Sequence, residues 1–344
     1  MQLLDVRAPV EIARCGLPGA TILPILTDDE RQAVGLCYRE HGQEAALALG
    51  VQLTAPHRND RIDGWRQAVK SSPGATAFAC WRGGQRSRIA QQWLADDSVP
   101  RVAGGTKALR RFLLARLQAH FESTQAIVIS GLTGCGKTEL LHALSPVVPK
   151  NVLALDLEDL ANHRGSAFGG FPDGQPAQQT FENHLAAAVQ AAAPRLTILE
   201  DEARNVGRLE LPEYVWVKTK ASPVVIVEAS HQERIARIAQ EYVFKPTDLS
   251  SRAVILQDLQ TNINKLAKRL GGVRMNNCLA ALSDADHDER WHTVEAHTPW
   301  IDTLLLHYYD KFYDSAMVRL DRPVTFRGSK DEIVDWFRSS DFVV

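Results

Sequence analysis

The sequence predicts an α/β protein of two domains, residues 1–120 and 121–344, each built on a parallel sheet and the second ending in a helical part. Three observations predict it. The 344 residues are enough for two separate cores, at about 100–200 residues per domain. Short apolar runs alternate with amphipathic stretches, as strands joined by crossover helices do. Hydrophobic residues make up 45% and charged residues 23%, a mix that excludes wholesale disorder, collagen and coiled coil.

In the first domain, LLDV (3–6), TILPI (21–25), TAFAC (76–80) and SVPRVAGG (98–105) read as strands that end at turn residues. Helices are expected over 28–49, 60–70, 86–95 and 106–120. A second series opens with QAIVIS (125–130) and continues through NVLALD (151–156), RLTILE (195–200) and PVVIVEA (223–229). These are the continuous apolar runs of strands buried on both faces. Helices are expected from about Lys137, over 180–192 and over 231–242. Spacing of i, i+3/i+4 then predicts helices over 249–270 and 299–316, and VTFRG with DEIVDWF closes the chain as a strand and a helix.

No run of 18 apolar residues is present, so no membrane partner is expected. Asp5, Arg7 and Glu11 interrupt the N-terminus before an apolar signal segment could form. The cysteines Cys15, Cys37, Cys80, Cys135 and Cys278 are scattered and odd in number, which points to free thiols in a reducing cytoplasm. Net charge is −2, yet residues 1–120 carry 16 basic against 11 acidic side chains. Arg101, Lys107, Arg110, Arg111 and Arg116 fall in a stretch free of acids, with Arg82, Arg86 and Arg88 nearby. Such clustering suits the phosphates of RNA, and equally a solvated helix face.

Cys80 ends an apolar strand and is followed by Trp81-Arg82-Gly83-Gly84-Gln85-Arg86-Ser87, entering a helix. The two glycines permit a tight turn that aims successive amides at one point. The helix adds its positive end, and Arg82 and Arg86 add charge. Each term favours a bound anion or a thiolate, so Cys80 is the candidate nucleophile. Asp5-Val6-Arg7, Glu11, Leu17-Pro18-Gly19-Ala20, Pro24 and this loop together resemble the rhodanese domain, which implies a rhodanese-like fold over about 1–120 with Cys80 as the cysteine that carries sulfur as a persulfide. Cys80 to Arg86 is also the C-x5-R spacing of phosphatases, and a loop of that length has room for a phosphate-sized group.

Gly131-Leu132-Thr133-Gly134-Cys135-Gly136-Lys137-Thr138 lies between a strand and a helix and matches the P-loop pattern G-x-x-x-x-G-K-[ST]. Gly131, Gly134 and Gly136 let amides wrap a di- or triphosphate, Lys137 neutralises charge, and Thr138 can bind Mg2+. Glu200, Asp201 and Glu202 end a strand where a carboxylate can hold a metal, and Asp156 and Glu158 are a similar pair; no metal is assigned with certainty. His163, Arg164 and Ser166, ahead of Phe168-Gly169-Gly170, form a polar loop suited to substrate phosphate or to a plain surface turn.

Taken in order, DVRAP (5–9), DDERQAVG (28–35), ALALG (46–50), RGGQRS (82–87), GGTKALR (105–111), GLTGCGKT (131–138), DLEDLANHRGSAFG (156–169), LEDEARNVG (199–207) and VTFRG (324–328) resemble the tRNA 2-selenouridine synthase family essentially end to end. The chain starts almost at its first strand, where that family is expected to carry a leader, and the stretch after Phe168 departs from the pattern. The resemblance implies a cytoplasmic enzyme that converts wobble 2-thiouridine of tRNA to 2-selenouridine. It implies selenophosphate and geranyl diphosphate as co-substrates, S-geranyl-2-thiouridine as the intermediate, and a selenophosphate-producing enzyme as donor partner. Two other readings compete: a sulfurtransferase or C-x5-R phosphatase regulated by a nucleotide-binding domain, and an RNA-binding module whose first half only docks.

Overall fold

The computed structural model describes residues 2–171, 173–247, 250–287, 289–311 and 322–339. It is a mixed α/β protein with parallel sheets, and it divides into two compact units: 1–119 with 176–191, and 120–175 with 192–344.

The first unit opens with β1 (Gln2–Asp5), α1 (Pro9–Arg14), β2 (Ala20–Ile22), α2 (Asp28–Thr54), α3 (Arg58–Ser71), β3 (Thr76–Ala79), α4 (Gln85–Leu94) and α5 (Gly105–Ser123). Its parallel sheet has the order β2-β1-β3. The strand expected over 98–105 reduces to one parallel bridge between Phe78 and Arg101. Gly104 and Gly105 both take positive φ there and turn the chain into α5 instead of extending it. The helix expected over 28–49 reaches Thr54 but is broken at Gly42 (φ 81°, ψ −175°), which divides α2 into two arms. Leu4, Trp65 and Phe78 centre the core, with Trp65 meeting Phe78 edge to face at 5.4 Å. Asp5 and Arg7 are fully buried and paired: Arg7 Nη2 donates to Asp5 Oδ2 at 2.6 Å and to the Cys15 carbonyl at 2.8 Å.

The second unit holds β4 (Gln125–Ser130), α6 (Lys137–Leu144), β5 (Val152–Leu155) and α7 (Leu157–Ala161). Helix α8 (Gln178–Ala192) follows, with all but its last residue counted in the first unit. Asn183 of α8, fully buried, donates to the Gly16 carbonyl at 2.6 Å, and Thr180 Oγ1 accepts from Gly16 N at 2.8 Å. The chain then forms β6 (Leu196–Glu200), the ribbon β7 (Asn205–Val206) and β8 (Leu209–Glu210), α9 (Glu213–Ala221), β9 (Val224–Val227) and α10 (His231–Ala239). Helices α11 (Lys245–Thr247), α12 (Arg252–Lys265), α13 (Ala267–Leu270), α14 (Gly272–Ala285) and α15 (Val294–Leu304) precede β10 (Val324–Gly328) and α16 (Lys330–Ser339).

The five-stranded sheet is parallel throughout, in the order β10-β9-β4-β6-β5. Strand β4 is central: the chain runs from it to the edge strand β5, returns to β6 beside it, and then crosses to β9 and β10 on the other side, so the loop after β4 lies at the switch point where α/β sheets bind ligands. Ile129, Leu140, Ile198 and Val225 pack the sheet under α6, while Ile263, Leu282, Trp291 and Trp300 centre a separate helical core. Helix 231–242 ends as α-helix at Ala239 and runs on as a wider turn over Gln240–Phe244. The expected 249–270 helix is the pair α12 and α13, its start at 249 lying outside the described residues. The expected 299–316 helix begins earlier, at Val294, and residues 312–316 lie outside the described residues. No helix is long and apolar enough to cross a membrane among the described residues.

Candidate functional site

Two glycine-rich loops, one in each unit, follow a buried strand and open a helix. In the first, buried Cys80 lies 3.3 Å, Sγ to Oγ, from Ser87 in the first turn of α4. The loop between them is shaped by close backbone approach. A Cβ on Gly83 (φ +66°) would come 2.6 Å from the Val102 carbonyl, and one on Gly105 would come 2.0 Å from the Cys80 carbonyl. That carbonyl also accepts from Thr106 N at 2.9 Å, which fixes the strand end against α5. The first amides of α4 have no partner within the helix and lend the loop a positive end.

Of the charges expected here, Arg82 is exposed, while Arg86 forks onto Glu11, with Nη2 to Oε1 at 3.0 Å and Nη1 to Oε2 shorter still. Burial and then the Arg86 contact are the main influences on Glu11, whose carboxyl sits below its ordinary range. The two nitrogens that a phosphatase arginine would fork onto phosphate are thus both taken by a carboxylate.

The basic stretch that follows divides in the same way. Arg101 Nε donates to Gln91 Oε1 at 2.9 Å, and Arg110 donates to Asn183 Oδ1 at 2.8 Å and pairs with Glu182 of α8. Arg116 Nε reaches Gln190 Oε1 at 3.2 Å. Lys107 and Arg111 are exposed and make no ion pair among the described residues.

In the second unit, Gly134 and Gly136 take φ +82° and +92° as the loop wraps back on itself, and α6 starts at Lys137. A Cβ at Gly136 would lie 3.1 Å from the Arg237 guanidinium. Lys137 Nζ donates to the Gly131 carbonyl at 3.4 Å. Burial opposes its charge, but Cys135, Glu202, Glu200 and Glu158 hold its pKa above the ordinary lysine value. Thr138 Oγ1 donates to Glu158 Oε2 at 3.2 Å.

Those carboxylates crowd together among the described residues. Glu158, Glu200 and Glu202 each offer an oxygen, all within 4.8 Å of one another. Burial, then Glu200 and Glu202, push Glu158 up to about 9. Burial, then Glu202, push Glu200 up to about 8, and Glu202 is also raised, first by burial. Both Glu200 oxygens are buried without a hydrogen-bond partner among the described residues. Carboxyls so crowded take up either protons or a cation, and Thr138 with these carboxylates is an oxygen donor set of the kind Mg2+ takes.

Asp201 stands apart from the cluster. Successive side chains at a strand end point to opposite faces, and Asp201 instead accepts from Ser130 Oγ at 2.7 Å and Lys220 Nζ at 2.8 Å, and pairs with Arg322. Burial opposes its charge, but Lys220 and Arg322 keep its carboxyl below the usual range. Asp156 is likewise engaged: it caps α7 through Asp159 N at 2.8 Å and bonds His142 at 2.6 Å.

The polar loop 163–170 leans on the cluster. A Cβ at Gly165 (φ +55°) would fall 2.3 Å from Glu158 Oε1 and 2.8 Å from Glu202 Oε2. Arg164 lies 4.3 Å over the Phe171 ring and pairs with Glu241 at 3.5 Å, and Ser166 shares a 2.7 Å hydrogen bond with Tyr242. The ring nitrogen Nδ1 of His163 is buried without a partner among the described residues, and burial lowers the pKa of the ring. A narrow apolar slot of about 30 Å³ sits beside Thr133, lined by Phe168, Ile238, Trp300 and Leu304.

A profile described as the tRNA 2-selenouridine synthase AAA domain matches residues 124–342. Proteins named tRNA 2-selenouridine synthase align along nearly the whole chain. That of Marinobacter nauticus is 41% identical over 98% of this chain and 94% of its own length. This chain belongs to the tRNA 2-selenouridine synthase family. The Hahella chejuensis relative is 39% identical over 98% of this chain and 91% of its own, and that of Alcanivorax borkumensis 37% over 98% and 95%.

Two residues at the phosphate loop escape sequence reasoning. Arg234 Nε donates to the Thr133 carbonyl at 2.8 Å while its other nitrogens hold Asp310 at 2.5 and 3.1 Å. Arg237 Nη1 donates to the Gly134 carbonyl at 2.6 Å. Both clamp loop carbonyls from α10. Their signal is faint: two arginines three apart on a strongly amphipathic helix, one of them on its buried side.

Proposed function

We propose that this chain replaces the sulfur of wobble 2-thiouridine in tRNA with selenium in two steps, each served by one of the two loops. The single observation that carries this reading is the phosphate loop with its raised carboxylates, found in a chain of this family alongside a second glycine loop centred on a thiol.

In the first step the phosphate loop holds geranyl diphosphate. The thiocarbonyl sulfur attacks the prenyl carbon, the C–O bond to diphosphate breaks, and the nucleobase N–H proton leaves with the products. Lys137 and the amides around Gly131, Gly134 and Gly136 take up charge that grows on the departing diphosphate. Mg2+, when held by Thr138, Glu158, Glu200 and Glu202, supplies further neutralisation of that diphosphate. Alkylation makes the sulfur a neutral thiol leaving group. His163, Arg164 and Ser166 line the approach to the diphosphate.

In the second step selenophosphate binds at Arg82, Gly83, Gly84 and Ser87, with Arg86 shaping the loop through Glu11. Selenium is delivered at Cys80 to C2 of the base, and geranylthiol departs. With one water consumed, the products are 2-selenouridine, geranylthiol and phosphate, so atoms and charge balance. The exposed Lys107 and Arg111, with Arg101, Arg110 and Arg116, take tRNA phosphates, and binding weakens as salt rises. A selenophosphate-producing enzyme is the donor partner, and the reaction belongs to the cytoplasm.

Nucleoside mass spectrometry of 2-thiouridine tRNA incubated with protein, geranyl diphosphate, Mg2+ and selenophosphate tests the reading. Geranylated and then selenated uridine is the expected result, and absence of both overturns it.

A further inference from the structure

A cavity in the first unit lies beside the loop that starts at Cys80 and has no part in the chemistry assigned so far. It encloses about 810 Å³, within the roughly 300–1,000 Å³ typical of small-molecule sites. Its walls are the two arms of α2 and one face of α4. Ile25, Val34, Leu47, Val51, Ile89 and Trp93 make it mainly apolar. The arms meet across it, since a Cβ on Gly50 would lie 3.7 Å from Val34 Cγ2. Two of its lining side chains, Tyr38 and Val51, remain 58% and 56% exposed. The segments DDERQAVG (28–35) and ALALG (46–50), part of the resemblance yet without a role in either loop, supply much of the lining.

The position of the cavity limits what it can hold. Gln85 and Arg86, from the loop that starts at Cys80, line it, as does Glu11, the partner of Arg86. The next residue, Ser87, is the one 3.3 Å from the Cys80 sulfur. Arg31 and Arg39 add cationic groups to the lining. An occupant therefore combines a long apolar body with an anionic or polar head, and it presents the junction between them near the thiol.

We infer that this cavity seats the ten-carbon chain of S-geranyl-2-thiouridine while the nucleobase faces Cys80, so that the first unit recognises its substrate by the prenyl group. This rests on the geranylation reading above and names the substrate handle of its second step. Arg31 and Arg39 meet the neighbouring RNA phosphates, and the scissile C–S bond lies at the cavity mouth. The chain leaves as geranylthiol from the pocket that bound it.

Gly35 provides the test. It lines the cavity, a Cβ there meets nothing within 4 Å, and its φ is not positive. Replacing it inside a helix favours the helix, so Gly35→Leu and Gly35→Trp fill the cavity without a folding penalty from the backbone. Gly35→Ala is the small-volume control. The substrates are anticodon stem-loops carrying S-geranyl- or S-methyl-2-thiouridine, each given with selenophosphate, and binding of each stem-loop is measured separately by fluorescence anisotropy. The wild-type protein should prefer the geranyl stem-loop at least 100-fold in kcat/KM. Gly35→Ala should keep that preference, and Gly35→Leu and Gly35→Trp should reduce it at least tenfold through weaker geranyl stem-loop binding, with geranylation of 2-thiouridine unchanged. Unaltered geranyl preference in Gly35→Trp overturns the inference, and so does loss of geranylation with selenation of the pre-formed geranyl stem-loop intact, which would assign the cavity to geranyl diphosphate. If the wild-type protein makes no geranylated nucleoside, the reading of the first step fails, and the anisotropy series still decides whether the cavity holds the chain.

Discussion

The thiol loop of the first unit and the phosphate loop of the second share a plan, strand then glycine turn then helix, but differ in how their charges are resolved. Around Cys80 the nearby charges are largely settled within the protein: Arg86 is forked by Glu11, and Asp5 is matched by buried Arg7. Around Lys137 they are left unresolved, with three carboxylates crowded by burial and Glu200 lacking any hydrogen-bond partner among the described residues. With its other charges settled, the first site leaves an anion to the exposed Arg82 and to the amides at the start of α4. An unsettled one is built to wait for ions, because only a cation with an anionic ligand completes it.

The sharpest break of this contrast separates the two steps. Lys137→Ala should lower geranylation by about 10²–10³-fold, the usual loss when a charge-stabilising donor is removed. It should leave selenation of a pre-geranylated stem-loop within about twofold, as mass spectrometry of the two nucleosides will show. Cys80→Ala should do the opposite. A Cys80→Ala protein that selenates while failing to geranylate would exchange the roles of the two loops.

A second prediction concerns stability. Asp201→Asn leaves Lys220 and Arg322 facing a neutral amide in a largely buried place, and breaking such an arrangement costs about 3 kcal/mol. Thermal unfolding of the second unit should fall by several degrees. Glu202→Gln relieves like-charge crowding instead, and in EDTA at pH 8 it should leave the midpoint unchanged or raise it.

The smallest effect is the pH dependence of the metal-free protein. Glu158 and Glu200 have folded-state values of about 9 and about 8, above their unfolded values. The folded state therefore binds more protons than the unfolded state between about pH 4.5 and 9, and stability falls as pH rises through that window. Denaturant titrations in EDTA should show this decline. Mg2+ at a fixed concentration, 100 times its Kd at pH 8.5, should add about 2.7 kcal/mol there and less at pH 6, where protons compete for the same oxygens and raise the Kd.

Much of this was legible in the sequence, for stated reasons. Continuous apolar runs announced the strands of the second sheet, and glycine spacing announced both loops, because few other residues tolerate positive φ at Gly83, Gly134 and Gly136. What stayed hidden depends on direction and partners. Asp156 and Glu158 read alike, yet Asp156 turns inward to cap its own helix while Glu158 reaches Thr138. Arg86 read as a free charge because its partner Glu11 lies 75 residues away. The helix expected over 28–49 passes through Gly42, yet Gly42 breaks α2 and so gives the cavity two of its walls. Helix α14 went unforeseen because it opens on Gly271-Gly272, which reads as a turn.

The end of β6 carries a consequence of its own. Glu200, Asp201 and Glu202 are adjacent acids of almost the same chemistry, sorted to different duties only by the pleat of the strand. Deleting one residue from Leu196–Leu199 would rotate the triplet by half a turn, steering a cluster carboxylate toward Lys220 and presenting Asp201 to Lys137. The protein would keep every charge it has and still lose the grouping of its three glutamates, so this short strand should tolerate conservative exchange far better than any change of length.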